Sequence, residues 1–337
     1  MVAFVFVRQN QLKTTHSVII FSLCVGGILS SMTGTLIVTV ASFIKKWIFG
    51  DLMCIIYGFL MTALGVFNIM ILTIAAVDRY VTIVKTEWKT NFTKPVSVIL
   101  VFISAVYSIV WAFFPVFGWN EYTLEAMETA CAITWESSDP NNLSFCMALF
   151  SVAFVIPIVI ISASYISIYS KIRKQRNPLL NRVTRITENM EQKIAYTTFL
   201  MIIGFVVAWG PYASFSLWST FAGPENISPQ LAAIPAVIAK MSVFWNTLIY
   251  LYTNKQFQKA FRKEFPRLGE IFSNKISPAD VTIQCESGVV LHKAGLTARG
   301  PTLGESVMTT VSLTPGIYNP IKLSDPPKSK ATSESVS

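Results

Sequence analysis

Six stretches of mostly apolar residues, each about 20 residues or longer, restrict the fold of this chain more than any other feature of its sequence. About 20 apolar residues in a helix cross the ~30 Å hydrocarbon core of a bilayer. We number the predicted spans 1 to 7 from a short apolar stub onwards: 2–7, 16–43, 54–82, 96–117, 145–171, 192–219 and 229–252. With 53% hydrophobic and 13% charged residues, the chain is predicted to be an all-α, multi-pass membrane protein.

The two ends of the chain differ from this bundle. The stub "VAFVFV" runs directly into Arg8 and has no small-residue cleavage region of a signal peptide, so we expect the start of span 1 to be missing from the sequence. Basic and aromatic residues alternate at helical spacing over 254–266, which predicts a short amphipathic helix along the inner membrane surface. We therefore expect a bundle over 1–270, and the polar composition of 276–337 predicts a disordered tail.

The net charge of +9 does not indicate a nucleic-acid partner, because the basic residues fall in alternate loops rather than on one soluble domain. Basic residues are concentrated in the loops near 85–94, 171–185 and 255–267. The positive-inside rule makes that side cytoplasmic, and the tail with it, in a cell membrane. Lys45 and Lys46 lie on the opposite side, so the orientation depends on the summed bias.

Lys240 stands in the middle of span 7, in the otherwise apolar stretch "PAVIAKMSVFWNTLIY". A charged lysine at mid-membrane costs about 2.5–3.5 kcal/mol on insertion scales, so a lysine without a function is not expected there. A neutral primary amine is a nucleophile that condenses with aldehydes. This position is therefore the leading candidate for a covalent ligand site.

Two further motifs lie near the ends of spans 3 and 6. Asp78, Arg79 and Tyr80 end the long apolar run of span 3, and a second acid, Glu191, stands at the start of span 6. We expect Arg79 to bridge to Glu191 as well as to Asp78. The alternative is a plain interfacial anchor, because arginines at helix ends extend to the lipid headgroups. In span 6, Pro211 removes a backbone hydrogen bond and is predicted to bend the helix.

These features together resemble the rhodopsin-like class of G-protein-coupled receptors and, because of the lysine, the animal opsins of invertebrate or non-visual type. The resemblance covers roughly residues 1–270. It implies a seven-helix bundle with retinal, 11-cis or all-trans, held as a Schiff base on Lys240. It also implies a disulfide between Cys54 and Cys131 and an aromatic toggle at Trp209.

The resemblance further implies a conformational switch for the G protein, to which the motifs contribute Asp78, Arg79, Tyr80, Glu191, Asn246 and Tyr250. The sequence departs from the family pattern of this switch at two positions. Gly27 stands where the family usually has an aspartate, and Thr247 replaces the family proline between Asn246 and Tyr250. Because threonine keeps its amide hydrogen bond, we expect the inner end of span 7 to be straighter than in the family.

A protonated Schiff base in an apolar pocket needs an anion nearby. The two helix positions that hold this acid in related pigments are Tyr57 and Val38 here. Glu125, in the loop "FGWNEYTLEAMETACAI", aligns with the loop glutamate of many invertebrate-type opsins, and we predict it as the counterion. The alternative counterions are Glu121, Glu128 or a bound chloride. Glu125 would otherwise be an ordinary loop acid that is exposed to solvent.

The remaining expectations are carried over from the family. The pocket walls correspond to Thr62, Gly65, Trp135, Phe150, Phe154, Phe205, Trp209, Tyr212 and Ala236. The resemblance implies a non-enzymatic light receptor, with a heterotrimeric G protein, arrestin, a receptor kinase and membrane lipid as partners. A retinal photoisomerase and a receptor for a diffusible ligand are the alternatives, and a transporter lacks repeated halves in this sequence.

Overall fold

The computed structural model describes residues 3–4, 8, 14–125, 127–135, 137, 139–174, 182–222 and 229–265. Most of the predicted span 1 and the whole predicted tail 276–337 lie outside the described residues. Within the described ranges all regular secondary structure is helical except for one small hairpin, and loops connect these elements. The helices and strands are α1 Thr15–Ser30, α2 Leu36–Ile44, α3 Gly50–Ile83, α4 Lys94–Phe113, β1 Tyr122–Leu124, β2 Cys131–Ile133, α5 Pro140–Phe150, α6 Ile156–Lys174, α7 Arg182–Ala222, α8 Pro229–Lys240, α9 Ser242–Thr253 and α10 Lys255–Glu264.

Five helical stretches of the described residues are long and apolar enough to cross a membrane. They correspond to spans 2 to 6 and are listed by their bounds as Thr15–Ile44, Gly50–Ile83, Lys94–Phe117, Pro140–Lys174 and Glu188–Trp218. A sixth is the bent pair Ile234–Lys240 and Trp245–Thr253. The first five stretches begin one to five residues before their predicted limits.

Span 2 contains an irregularity that hydropathy does not reveal. A π-helical turn at Ser31–Thr35 joins α1 to α2. Hydroxyl groups just before and within this turn donate to carbonyls four residues earlier, from Ser30 to Gly26 and from Thr33 to Leu29. Such back-bonding competes with the regular helix and favours local distortion.

Span 5 contains a break one turn before Pro157. The helix is regular from Ile156, and a π-helical turn at Ser151–Val155 separates it from α5. Pro157 has no N–H and its ring clashes with the carbonyl of the residue four positions before it. The turn of helix that precedes the proline, rather than the proline itself, is therefore the part that is displaced.

Span 7, predicted as one helix over 229–252, is divided in the structure. The helix α8 ends at Lys240, Met241 forms a turn, and α9 begins at Ser242; the axes of the two parts differ by 41°. The Met241 amide is shared between the carbonyls of Val237 and Ile238, which tightens the last turn. Helix α9 runs without interruption through Thr247, as the retained amide predicts, so the bend lies beside Lys240 instead.

Outside the helices, β1 and β2 form an antiparallel hairpin, with Thr123 opposite Ala132. A disulfide between Cys54 and Cys131 attaches the hairpin to the start of α3. Tyr122 is buried beneath the hairpin and donates a hydrogen bond from its hydroxyl to the Ala112 carbonyl, at 2.8 Å. The hairpin is thereby held at the outer end of α3 and α4.

The amphipathic helix predicted over 254–266 is α10. Asn254 caps it by accepting a hydrogen bond from the Phe257 amide at 2.9 Å. Phe257 and Phe261 are buried in the largest apolar cluster, and the Phe257 ring lies 5.2 Å from that of Tyr250. The apolar side of this helix therefore packs against the bundle and fixes its position after α9.

Candidate functional site

A cavity lies among α3, α5, α7, α8 and the hairpin. The void between its walls, with its opening to solvent included, is about 980 Å³. All nine pocket residues that the sequence suggested line it, namely Thr62, Gly65, Trp135, Phe150, Phe154, Phe205, Trp209, Tyr212 and Ala236. Among its described lining residues only Lys240 and Glu125 carry a charge.

Lys240 and Glu125 face each other in this cavity. The Nζ atom of Lys240 lies 3.4 Å from Oε2 of Glu125, and their side chains are 28% and 25% exposed. Glu125 directly follows β1, and its amide donates to the Ala130 carbonyl at 2.8 Å. The hairpin thus carries a carboxylate to an amine that lies 115 residues later in the chain.

Tyr57 occupies the helix position where the sequence comparison sought an acid. Its side chain lines the same cavity and is 1% exposed, and its ring packs edge-on against Trp47. Within the described residues its hydroxyl has no hydrogen-bond partner. Tyr57 therefore contributes a buried polar group beside the charged pair but no negative charge at neutral pH.

Trp209 forms the inner wall of the cavity. It stacks on Phe205 with ring centroids 5.7 Å apart and donates a hydrogen bond from Nε1 to the Ser242 hydroxyl at 2.9 Å. This bond joins α7, two residues before Pro211, to the first residue of α9. A displacement of Trp209 would therefore act on α7 beside Pro211 and on α9 beside the turn at Met241.

Trp135 covers the outer side of the cavity. Its Nε1 donates to the Tyr212 hydroxyl at 3.1 Å, and the two rings meet edge-on. The hairpin below is close to α3, because a Cβ on Gly58 would come within van der Waals overlap of the Tyr122 ring. Burial raises the pKa of Tyr122 to about 12, so this anchor stays neutral and hydrogen-bonded at physiological pH.

The cavity suits an elongated apolar aldehyde such as retinal. Its walls are aromatic and aliphatic, it contains one primary amine, and an anion stands within 3.4 Å of that amine. Gly65 contributes space, since a Cβ there would already lie 3.3 Å from the Trp209 ring. The donor set, the charge balance and the shape of the wall are all compatible with that group.

A second group of charges occupies the opposite end of the bundle. Arg79 is 5% exposed and donates through Nε to Asp78 at 3.0 Å and through Nη1 to Glu191 at 2.8 Å. His16 Nδ1 lies 3.4 Å from the same Asp78 carboxylate, and Lys89 Nζ lies 3.2 Å from Glu191. These contacts bring α1, α3, α7 and the loop after α3 together.

The other predicted switch residues lie close to this end. Tyr80 follows Arg79 in α3 and is partly buried. Asn246 and Tyr250 are buried on α9, and together with Gly27 they line a second, smaller cavity. The Asn246 side-chain oxygen has no hydrogen-bond partner within the described residues.

Sequence reasoning missed several lining residues. Met61, Val66 and Ile69 lie on α3 beside Thr62 and Gly65, and Ala239 precedes the lysine. Positions 61, 62, 65, 66 and 69 share one face of α3 at helical spacing, so extending that face from Thr62 and Gly65 would have found the three missed residues on α3. Ile133 and Ala132 were not predictable in this way, because the hairpin register places them.

Three comparisons with known proteins agree. A family model described as "7 transmembrane receptor (rhodopsin family)" matches residues 1–250. The melanopsin of Phodopus sungorus is 31% identical over 80% of this chain and 59% of its own length, and the rhodopsin of Enteroctopus dofleini is 28% identical over 79% and 61%. The crystal structure of squid rhodopsin superposes with a TM-score of 0.71 and 26% identity, covering 82% of this chain and 86% of that one.

The chain spans about three fifths of the length of these two relatives. The matches confirm the predicted fold class, an all-α membrane protein of the seven-helix type. They also confirm the predicted resemblance to opsins. The residue roles assigned from that resemblance stay predictions.

Proposed function

Because this chain belongs to the rhodopsin family of seven-transmembrane receptors, we propose that it is a light-sensing receptor that holds retinal on Lys240 and signals to a heterotrimeric G protein. The observation that carries this proposal is the pairing of Lys240 with Glu125 inside an apolar, aromatic cavity. The melanopsin and rhodopsin relatives support it. The protein is proposed to act in a cell membrane with its tail in the cytoplasm.

Each residue of the cavity has a distinct part in this proposal. Lys240 would hold the group by its Nζ, in a link to the aldehyde carbon that releases the aldehyde oxygen as water, and Glu125 would balance the positive charge on that nitrogen. Retinal, when bound, supplies absorption of visible light and a change of shape on isomerisation. Trp135 and the hairpin exclude water from the outer side, which strengthens the attraction between the opposite charges.

Trp209 connects the cavity to the inner face. It lies against Gly65 on α3 and is bonded to Ser242 on α9, so a change in cavity shape displaces it. Pro211 leaves α7 without one backbone hydrogen bond at this level, which makes an outward swing of the inner part of α7 less costly. Both isomers of retinal, 11-cis and all-trans, remain candidates for the resting form.

At the inner face, the contact between Arg79 and Glu191 holds α3 and α7 together in the resting state. Its separation opens a cleft that a G protein occupies. To shift the ratio of the open to the closed inner face from 1:99 to 99:1, the bound ligand must favour the open form by about 5.5 kcal/mol. The tail sequences "MTTVSLT" and "ATSESVS" supply hydroxyls for a receptor kinase, and phosphorylation of them would attract arrestin.

The test is light-dependent nucleotide exchange on purified G proteins by the protein reconstituted with 11-cis-retinal in lipid nanodiscs. We expect a visible absorption band and light-driven exchange in the wild type, and neither in Lys240→Ala. A pigment that forms and releases isomerised retinal without any exchange would favour the photoisomerase instead. A protein that forms no lysine-dependent pigment would contradict the light-sensing proposal altogether.

A further inference from the structure

Glu191, at the inner part of α7, is bonded through both of its carboxylate oxygens. Arg79 Nη1 lies 2.8 Å from Oε2, and Lys89 Nζ lies 3.2 Å from Oε1. The two cations come from different elements, since Arg79 is in α3 and Lys89 follows the short 3-10 turn Thr86–Trp88. One acid on α7 therefore joins a buried arginine and a loop lysine.

The Lys89 contact has two physical consequences. A carboxylate held on both oxygens loses rotational freedom, so Lys89 keeps Oε2 pointed at Arg79 even when the long arginine side chain fluctuates. Lys89 also supplies a positive charge beside Oε1 of Glu191. Arg79 alone does not balance both acids, because its single positive charge is shared between Asp78 and Glu191. The closed inner face thus depends on the loop after α3 as well as on α3 itself.

We propose that Lys89 is a positioning residue for the inner switch, which holds Glu191 in register with Arg79 and restrains opening in the dark. The inference rests on the proposed receptor function for its signalling consequence. The opening itself is measurable without light, retinal or a G protein.

The expected effect is moderate. Lys89 is 53% exposed and Glu191 25% exposed, so water and salt screen this pair more than the Arg79 pair, in which the arginine is 5% exposed. Exposed ion pairs of this kind shift equilibria by about 1.5- to 5-fold. We therefore expect Lys89→Gln to raise the open fraction by about that factor and Glu191→Gln to raise it further.

The chain offers a matched control on the same loop. Lys85 is 44% exposed and lies 3.9 Å from Glu87, an acid of its own loop rather than of α7. Replacing Lys85 with glutamine removes the same charge from the same loop without touching Glu191. A general effect of loop charge would appear in both variants.

The experiment measures the distance distribution between spin labels on cysteines introduced at the exposed positions Val98 on α4 and Tyr196 on α7. The three cysteines outside the disulfide, Cys24, Cys146 and Cys285, are replaced by alanine. It compares wild type, Lys89→Gln, Lys89→Arg, Lys85→Gln, Glu191→Gln and the Lys89→Gln/Glu191→Gln double variant. We expect a larger open population in Lys89→Gln, a wild-type population in Lys89→Arg and Lys85→Gln, and no further increase from Lys89→Gln once Glu191 is neutral.

Four results would overturn the inference: no increase in Lys89→Gln, an equal increase in Lys85→Gln, no rescue by Lys89→Arg, or additive effects of the two neutral substitutions. Dark and light-driven nucleotide exchange are then measured on the same samples. Absence of light-driven exchange in the wild type would count against the receptor function, whereas the distance data would still decide the role of Lys89.

Discussion

Replacing Glu125 with glutamine removes the carboxylate that lies beside Lys240 while keeping the size of the side chain. The two groups are 3.4 Å apart, and each side chain is about a quarter exposed. Coulomb's law gives about 5 kcal/mol at this distance for an effective dielectric constant of 20, and about 1 kcal/mol in bulk water. An intermediate value of about 3 kcal/mol corresponds to about 2 pH units, at 1.36 kcal/mol per unit.

The assay is a spectroscopic pH titration of the pigment formed with 11-cis-retinal. The visible band requires a proton on the nitrogen of Lys240, and a carboxylate nearby holds that proton. Loss of the carboxylate therefore makes the nitrogen lose its proton at lower pH. We expect the midpoint at which the visible band disappears to fall by about 2 units in Glu125→Gln.

Glu121→Gln is the matched control, because Glu121 is a loop acid that does not line the cavity. It is expected to leave the midpoint unchanged. The titrations are run with and without chloride, since a bound chloride would restore the midpoint in a salt-dependent way. An unchanged midpoint in Glu125→Gln without chloride, or an equal shift in Glu121→Gln, would refute the assignment of Glu125.

Three further predictions concern the walls and the anchors of the site. Gly65→Leu fills space next to Trp209, because even a Cβ at this position would lie 3.3 Å from the ring. It should reduce the pigment yield, measured by absorbance, at least ten-fold. Gly210→Ala is the control and should leave the pigment yield unchanged, because its Cβ would meet nothing within 4 Å. Cys54→Ser opens a 77-residue loop and should lower stability by about 4 kcal/mol in the chain-entropy model, seen as a lower melting temperature that reductant does not lower further. Tyr122→Phe loses a hydrogen bond worth about 0.5–1.5 kcal/mol at pH 7. Burial raises the pKa of Tyr122 from 10.0 to about 12, so the unfolded chain loses this proton at lower pH than the folded protein does. The wild type should therefore lose stability relative to Tyr122→Phe as the pH rises from 10 to 12. Melting temperatures of the two proteins that fall in parallel over this pH range would contradict the burial of the Tyr122 hydroxyl.

The fold was largely predictable because bilayer thickness sets a length scale that apolar runs must match. What hydropathy could not locate were the distortions within spans. The π-helical turn at Ser31–Thr35 and the turn at Met241 depend on which backbone carbonyls the neighbouring side chains and amides reach. The residues on both sides of each turn are mostly apolar, so a sliding average of hydropathy does not reveal these turns.

The site was predictable to the extent that its residues lie on regular helices. Thr62, Gly65 and Tyr212 were carried over from the family pattern, and they line the same cavity as Lys240 and Trp209. The contact of Lys89 with Glu191 was not predictable, because it depends on the path of an irregular loop.

The central claim, that Lys240 carries the light-absorbing group, is tested most directly by chemical trapping. The dark pigment is reduced with borohydride, which makes the link to the nitrogen permanent, then digested and mapped by mass spectrometry. The account predicts one modified peptide, the one that contains Lys240, and none in Lys240→Ala. A retinyl group on another lysine, or a wild-type protein that absorbs visible light with Lys240 unmodified, would contradict it.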